Sequence, residues 1–147
     1  MKVVIQRSKE SNVIIDNKVF NKIDKGLVIL SCFTYEDTLE DIDYIVKKIV
    51  NLRIFDDENH IMNKSILDTN GDILSISQFT LYADTHKGNR PSYNKALPGS
   101  ESIKLYELFN EELNKYVKTY PGVFGADMTL NITNDGPVTI IIDSKNR

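Results

Sequence analysis

The sequence predicts one mixed α/β domain with a layered α/β/β arrangement, largely antiparallel sheets and two main helices packed on one side. Three observations lead there. Short apolar runs typical of strands recur along the chain, and two longer segments carry apolar residues at helical spacing. The chain has 147 residues, 41% of them hydrophobic and 27% charged, which suits one globular domain. No repeat or linker divides residues 1–147.

The strands are predicted from the apolar runs and the turn residues between them. Because a dozen or more residues separate few of these runs, hairpins are expected to outnumber parallel crossovers. Asp16-Asn17 predicts a turn between two of the strands. The run after Gly26 is continuously apolar, as in a strand buried on both faces. The predicted strands are 2–6, 12–15, 18–23, 27–33, 72–82, 127–133 and 137–143.

Two segments, 38–51 and 101–118, have the apolar stripe of a helix that packs on a core. Thr38 is the expected N-cap of the first helix. The stripe of the first consists of Leu39, Ile42, Ile45, Val46, Ile49 and Val50. The stripe of the second consists of Leu105, Phe109, Leu113 and Tyr116 or Val117. Both stripes are expected to face the core.

Charge and rare residues narrow the classes of function. A net charge of −3 argues against a protein that coats long nucleic acids, but it fits an enzyme that grips one end of an RNA. The only histidines, His60 and His86, have no neighbours at metal-ligand spacing, so neither a metal or other cofactor nor a Ser-His-Asp relay is predicted. Cys32 is the only cysteine, and no apolar run reaches bilayer length. With no visible signal peptide, a cytoplasmic location without membrane contact is expected.

Three polar segments are candidates for function, and each has an ordinary structural alternative. Residues 77–80 (SQFT) end a strand with two hydroxyls and an amide, which often bond only to neighbours. Residues 86–95 (HKGNRPSYNK) contain three basic residues and no acid, which fits a solvated loop or a contact with phosphates. Residues 134–137 (NDGP) are typical of a hairpin turn, and pattern reasoning alone leaves the Gly136-Pro137 bond trans.

Four stretches in this order and spacing point to one family: MKVVIQRS, SISQFTLYAD, KGNRPSYNKALPGS and FGADMTLNITNDGPVTIIIDS. Together they closely resemble the D-aminoacyl-tRNA deacylase family, over essentially the whole chain. The combination of SQFT with a downstream NDGPVT is the specific feature. The departures are small: Tyr93 stands where the family often has Phe, and Pro121 where Thr often precedes Gly122. They bear only on the surface expected to face RNA.

The resemblance implies a homodimeric hydrolase that cuts D-amino acids from tRNA and rejects L-aminoacyl-tRNA, a chiral proofreading step. The catalytic segment would be Ser77, Gln78, Phe79 and Thr80 of one chain. Gly136-Pro137, held cis, would be inserted from the partner, and its two backbone carbonyls would receive the substrate's amino group. A rigid backbone wall there would exclude L side chains by clash.

Roles for individual groups follow from the resemblance and from the chemistry of an activated ester. Backbone N–H groups near Phe79 and Thr80 would form an oxyanion hole. Thr80 is expected to position the substrate rather than attack it, because no general base lies beside it in sequence. The ribose 2′-hydroxyl of the substrate would then help to activate water.

Further substrate contacts are expected from more distant parts of the sequence. Phe124 would stack on the terminal adenine, with a core aromatic as the alternative. Arg7 would brace the Gly136-Pro137 loop, with a surface ion pair as the alternative. Lys87, Arg90 and Lys95 would contact phosphates at the acceptor end of the tRNA.

Three other functions stay open at this stage. A related deacylase could remove achiral or wrong L-amino acids, although the unaltered SQFT disfavours it. A non-catalytic dimeric RNA-binding module could keep the fold, although the intact motifs and a pI of about 5.4 oppose it. An esterase with a threonine nucleophile would cleave small D-amino acid esters without tRNA. A hydrolysis assay separates these alternatives.

Overall fold

The computed structural model, which describes residues 1–147, has ten strands, two helices and two short 3-10 turns, three strands more than the sequence predicts. The strands are β1 (Lys2–Ser8), β2 (Ser11–Ile15), β3 (Lys18–Ile23), β4 (Gly26–Cys32), β5 (Phe55–Asp56), β6 (Met62–Lys64), β7 (Asp72–Ser77), β8 (Thr119–Pro121), β9 (Thr129–Asn131) and β10 (Asn134–Asp143). The helices are α1 (Leu39–Asn51) and α2 (Gly99–Asn114), and the 3-10 turns are Ile66–Asp68 and Phe79–Tyr82.

The largest sheet has five strands in the order β10-β1-β4-β7-β8. β1 is antiparallel to both of its neighbours, whereas β4, β7 and β8 are parallel to one another. Antiparallel pairs predominate, as predicted. The expectation that hairpins outnumber crossovers is wrong, because β2–β3 and β5–β6 are matched by the two parallel crossovers through α1 and α2. The last two strands pair with strands that are distant in sequence, β9 with β2 and β10 with β1.

The two faces of this sheet are covered differently, because alternate side chains of a strand point to opposite faces. One face packs against both helices, with Ile29 and Ile73 of the sheet buried against Ile45 and Phe109. The other face packs against the small sheet β3-β2-β9. The residues buried between the two sheets are Val13, Ile23, Val28, Leu74 and Ile76. The layered α/β/β architecture is therefore as predicted.

The helices follow their predicted stripes with changes at the ends. Thr38 caps α1, and its backbone N–H donates to the Asp41 carboxylate at 2.9 Å. Leu39 was expected on the buried stripe but is 65% exposed, whereas Ile42, one turn later, is buried, so the buried stripe begins after the first helical residue. Helix α2 begins at Gly99 and ends at Asn114, earlier at both ends than the predicted segment 101–118. Val117 is buried although it follows the helix. Neither helix is long and apolar enough to cross a membrane.

Strand β7 is shorter than the predicted strand 72–82, and this difference shapes the site. The ladder stops at Ser77, which faces Ser31 near the end of β4. On the other side β8 extends only as far as Ser75. With no neighbouring strand to continue the ladder, the chain turns to satisfy its backbone groups locally. The alternation therefore ends there, and Phe79 is 57% exposed.

Candidate active site

A cavity of about 290 Å³ opens where β7 ends. Three residues of the predicted catalytic segment line it, Ser77, Gln78 and Phe79, and Phe124 lies among the other lining residues. Thr80 does not line the cavity. Its Oγ1 accepts a hydrogen bond of 2.7 Å from Gln78 Nε2, so Thr80 is joined to a residue that does line the cavity.

The turn after β7 leaves backbone donors available. Its first internal hydrogen bond runs from the Leu81 N–H to the Gln78 carbonyl at 3.2 Å. The preceding N–H groups, those of Phe79 and Thr80, therefore have no acceptor within the turn, as at the start of any helical segment. These are the donors that the sequence analysis assigned to an oxyanion hole.

Phe124 belongs partly to the core and partly to the cavity. Its ring lies 5.7 Å from that of Tyr106, at an interplanar angle of 47°. Tyr106 is buried on α2, and its hydroxyl donates to the Ser75 carbonyl of β7 at 2.8 Å. Helix α2 thereby fixes the ring of Phe124 relative to the strand that leads into the catalytic segment. The two interpretations of Phe124 are therefore not exclusive.

Cys32 is a cavity residue that the sequence analysis did not single out. Its thiol lies 3.4 Å from the Phe79 carbonyl oxygen. Burial raises the pKa of the thiol to about 11, so it is neutral at physiological pH and is not poised as a nucleophile. Cys32 lies beside the end of β7 because β4 and β7 are parallel and Ser31, the preceding residue, faces Ser77. Knowledge of this strand register is needed to identify Cys32 as a cavity residue. No three His, Cys, Asp or Glu side chains are grouped so that they could hold a metal ion.

Gly136-Pro137 lies far from the cavity of its own chain. The peptide bond is cis, as the resemblance implies, and both residues are exposed at the start of β10. Arg7 lies beside this bend, and across the sheet it faces Leu27, which faces Ile73. Ser77 is four residues further along β7. Three strand spacings and four residues correspond to a separation of roughly 20 Å.

The bend is braced from inside the protein by Arg7, which is only 9% exposed. The Arg7 Nε donates to the Asp135 carbonyl at 3.1 Å, and Nη1 donates to the Ile54 carbonyl at 2.8 Å. The guanidinium also lies 3.3 Å from the Asp56 carboxylate and 3.5 Å from that of Asp135. Arg7 is therefore a buried brace rather than a surface ion pair.

The three basic residues predicted to contact RNA are not equivalent. Lys87 and Arg90 line a separate polar cavity of about 210 Å³. Lys95 instead forms an ion pair with Asp84 at 3.0 Å. Contact of these residues with RNA stays a prediction.

Comparisons with known proteins agree with the geometry. A family model described as "D-Tyr-tRNA(Tyr) deacylase" matches residues 4–143. Two relatives named D-aminoacyl-tRNA deacylase, from Bacteroides fragilis strains YCH46 and ATCC 25285, are each 57% identical to this chain over 151 aligned residues. Each match covers 100% of this chain and 99% of the relative.

Solved structures with the same fold carry two different descriptions. One, "c-Myc DNA Unwinding Element Binding Protein", is 37% identical, with a TM-score of 0.92 over 97% of this chain and 98% of the other. Another, a "probable eukaryotic D-amino acid tRNA deacylase", is 17% identical, with a TM-score of 0.81 over 96% and 97% of the two chains. At that identity the second comparison shows the fold alone.

Proposed function

The chain belongs to the D-aminoacyl-tRNA deacylase family, and from that premise we propose that it hydrolyses D-aminoacyl-tRNA to free tRNA and a D-amino acid while rejecting L-aminoacyl-tRNA. The observation that supports this most directly is the cavity at the end of β7. Residues 77–79 and Phe124 line it together, and the backbone N–H groups of Phe79 and Thr80 have no acceptor within the turn. The reaction fits the cytoplasm, where charged tRNA is used.

The chemistry that suits this cavity is attack of water on an activated ester. Water adds to the ester carbonyl carbon, and the N–H groups of Phe79 and Thr80 stabilise the negative oxygen that develops. The intermediate then releases the ribose hydroxyl and the free carboxylic acid. The only side-chain partner of the Thr80 hydroxyl is the Gln78 amide, which donates to it and cannot accept its proton. This supports a positioning role for Thr80, with the ribose 2′-hydroxyl helping to activate water.

The position of Gly136-Pro137 supports a homodimer. Within one chain the bend lies roughly 20 Å from Ser77, too far for both to contact one aminoacyl group. A second copy can bring its own bend to the cavity. β10 is an edge strand of the large sheet, and Ile141 on it is 67% exposed. An apolar, unpaired edge of this kind favours association with another chain.

Selection of the D-enantiomer follows from what the bend offers. Gly136 has no Cβ, so the backbone carbonyls of residues 136 and 137 can approach the α-carbon and amino group of the substrate. Because Arg7 holds the preceding carbonyl, the bend is rigid and excludes an L side chain by clash. Side-chain size matters little in this arrangement, so several D-amino acids are expected as substrates.

On the RNA side, Phe124 offers an aromatic face for the terminal adenine of the acceptor end. A second candidate function is nucleic-acid binding without catalysis. The description of the 37% identical structure as a DNA unwinding element binding protein favours it. The net charge of −3 and the backbone N–H groups of Phe79 and Thr80, which have no acceptor within the turn, favour hydrolysis instead.

Matched D- and L-tyrosyl-tRNA test the proposal. We expect rapid release of D-tyrosine and no release of L-tyrosine above the uncatalysed rate. D-Tyrosine ethyl ester serves as a substrate without RNA, and it should be cleaved with a much lower kcat/KM. Binding of tRNA without hydrolysis would support the second candidate. Equal cleavage of both enantiomers would contradict the proposal.

A further inference from the structure

The loop between Asp84 and Ser92 is a closed, polar protrusion beside the active-site cavity. Two backbone hydrogen bonds join its ends: the Asp84 N–H donates to the Ser92 carbonyl at 2.8 Å, and the Ser92 N–H donates to the Asp84 carbonyl at 2.9 Å. The segment between them is exposed except for the partly buried Pro91. The base of the loop is thus fixed, which gives the residues within it a defined position.

The one acidic side chain of this loop is already occupied. The Asp84 carboxylate accepts the His86 backbone N–H at 3.0 Å and lies 2.7 Å from His86 Nδ1. On its other side it pairs with Lys95 at 3.0 Å. These hydrogen bonds hold the pKa of Asp84 well below its usual range, and the bond from the His86 backbone has the largest effect. The carboxylate therefore stays ionised. The charges of Asp84 and Lys95 therefore compensate each other.

Lys87 and Arg90 have no such partner. Neither forms an ion pair, and both line the polar cavity of about 210 Å³. Its remaining lining residues are Asp84, His86 and Ser92, and none of the lining residues is hydrophobic. A guanidinium fork, an ammonium and a hydroxyl are the donors that bind phosphate oxygens in proteins.

Consecutive residues line this small cavity and the active-site cavity. Ser92 lines the first and Tyr93 lines the second, and consecutive Cα atoms are about 3.8 Å apart. The ring of Tyr93 packs edge-on against that of Phe79, with 5.0 Å between centroids. An anion held by Lys87 and Arg90 would therefore lie close to a nucleotide whose ester occupies the active-site cavity.

We propose that Lys87, Arg90 and Ser92 form a subsite for one backbone phosphate of the substrate RNA, next to the site of ester hydrolysis. The RNA ligand in this proposal rests on the proposed function. Lys95 has a different role: it neutralises Asp84 and leaves the other two cations free for the phosphate. The subsite orients the acceptor end but takes no part in the chemistry.

Binding of uncharged tRNA, measured over a range of salt concentrations, tests the subsite without depending on hydrolysis. The double variant Lys87→Ala/Arg90→Ala should weaken binding at least tenfold at low salt. Because both residues contact one phosphate, the slope of log K against log salt should fall by about 0.7 to 0.9. The control Lys18→Ala/Lys25→Ala removes two exposed lysines from the opposite layer and lowers the net charge equally. It should bind within twofold of wild type.

Kinetics and a free anion complete the test. With D-tyrosyl-tRNA, the double variant should raise KM about tenfold at unchanged kcat, and turnover of D-tyrosine ethyl ester should not change.

Inorganic phosphate should bind to the wild-type protein only at tens of millimolar. Tight phosphate binding that the double variant abolishes would assign the subsite to a free anion and overturn the proposal. Unchanged affinity and salt slope in the double variant would overturn it too. A wild-type protein that binds tRNA as described but releases no D-tyrosine would refute the proposed function and leave the phosphate subsite supported.

Discussion

The turn at Gln78–Thr80 and the bend at Gly136-Pro137 are held in different ways, although the same resemblance predicts both. The turn lies at the end of a central strand and is fixed by bonds between its own residues, such as that from Gln78 to Thr80. The bend lies at the start of an edge strand, is exposed, and is fixed from below by Arg7. A buried brace under an exposed bend keeps the bend in a fixed position although it lies at the surface.

Gly136→Ala tests the bend, and the largest loss of turnover is expected for this variant. Gly136 has a φ of +128°, and an added Cβ would lie 2.9 Å from Val138 Cγ2 and 3.0 Å from Arg7 Nη2. The variant is therefore strained by about 1–3 kcal/mol and must displace the brace. Since a displacement of about 1 Å can reduce turnover roughly 100-fold, we expect at least that loss with D-tyrosyl-tRNA. Full activity would show that the bend does not contact substrate.

Gly88→Ala is the control for a glycine of positive φ whose added Cβ meets open space. Gly88 also has a positive φ, +72°, but an added Cβ would meet nothing within 4 Å. Its free energy of unfolding should fall by only about 1–2 kcal/mol. A larger fall in Gly136→Ala, measured by urea unfolding, combines the cost of displacing Val138 and Arg7 with the greater backbone strain at φ +128°. It also means that loss of turnover in Gly136→Ala does not by itself identify a clash with substrate.

Arg7→Met removes the brace and leaves the bend intact. The Ile54 and Asp135 carbonyls lose their donors, which should lower the free energy of unfolding by about 2–3 kcal/mol. Turnover should fall between tenfold and a hundredfold because the bend loses its fixed position. Arg7→Lys keeps the charge but not the fork and should lie between wild type and Arg7→Met. Equal activity of all three at a temperature where each is folded would exclude the brace from catalysis.

Thr80→Ala tests the turn, and a smaller effect is expected there. The Gln78 amide loses its 2.7 Å acceptor, and one hydrogen bond contributes about 0.5–1.5 kcal/mol. If Thr80 positions the substrate, losing this energy in the transition state alone would lower kcat roughly two- to tenfold. Thr80→Ser should retain wild-type activity because it keeps the hydroxyl. A loss on the order of 10⁶ in Thr80→Ala would identify a covalent nucleophile instead.

The sequence predicts the layers well because apolar periodicity is local, and three residues of the SQFT segment line one cavity. It places the end of β7 too late, since nothing near Ser77 in sequence indicates that β8 stops at Ser75. From the basic composition of residues 86–95, the sequence also predicts the same phosphate contact for Lys95 as for Lys87 and Arg90. The ion pair with Asp84, eleven residues earlier, separates it from them and depends on the closed loop.

The contacts that hold the bend are equally hidden from pattern reasoning. Arg7 reaches the carbonyl of Ile54, which follows α1, and that of Asp135 near the end of the chain. These partners are 47 and 128 residues away. Pattern alone also left the Gly136-Pro137 bond trans, and only the resemblance predicted cis. The Arg7 contacts are long-range, so local propensity gives no indication of them.

Tyr106→Phe tests how Phe124 is held relative to β7, and the smallest effect is expected for this variant. The variant keeps the ring against Phe124 but removes the 2.8 Å hydrogen bond to the Ser75 carbonyl, at a cost of about 1 kcal/mol in stability. Because Tyr106 fixes Phe124 relative to β7, we expect KM for D-tyrosyl-tRNA to rise about two- to threefold with kcat unchanged. D-Tyrosine ethyl ester, which has no adenine, should be cleaved as by wild type. Phe109→Leu is the control, since it lies on the same helix in the core and should reduce stability without changing KM. If both variants changed KM equally, Tyr106 would act only through stability, and Phe124 would need no positioning to receive the adenine.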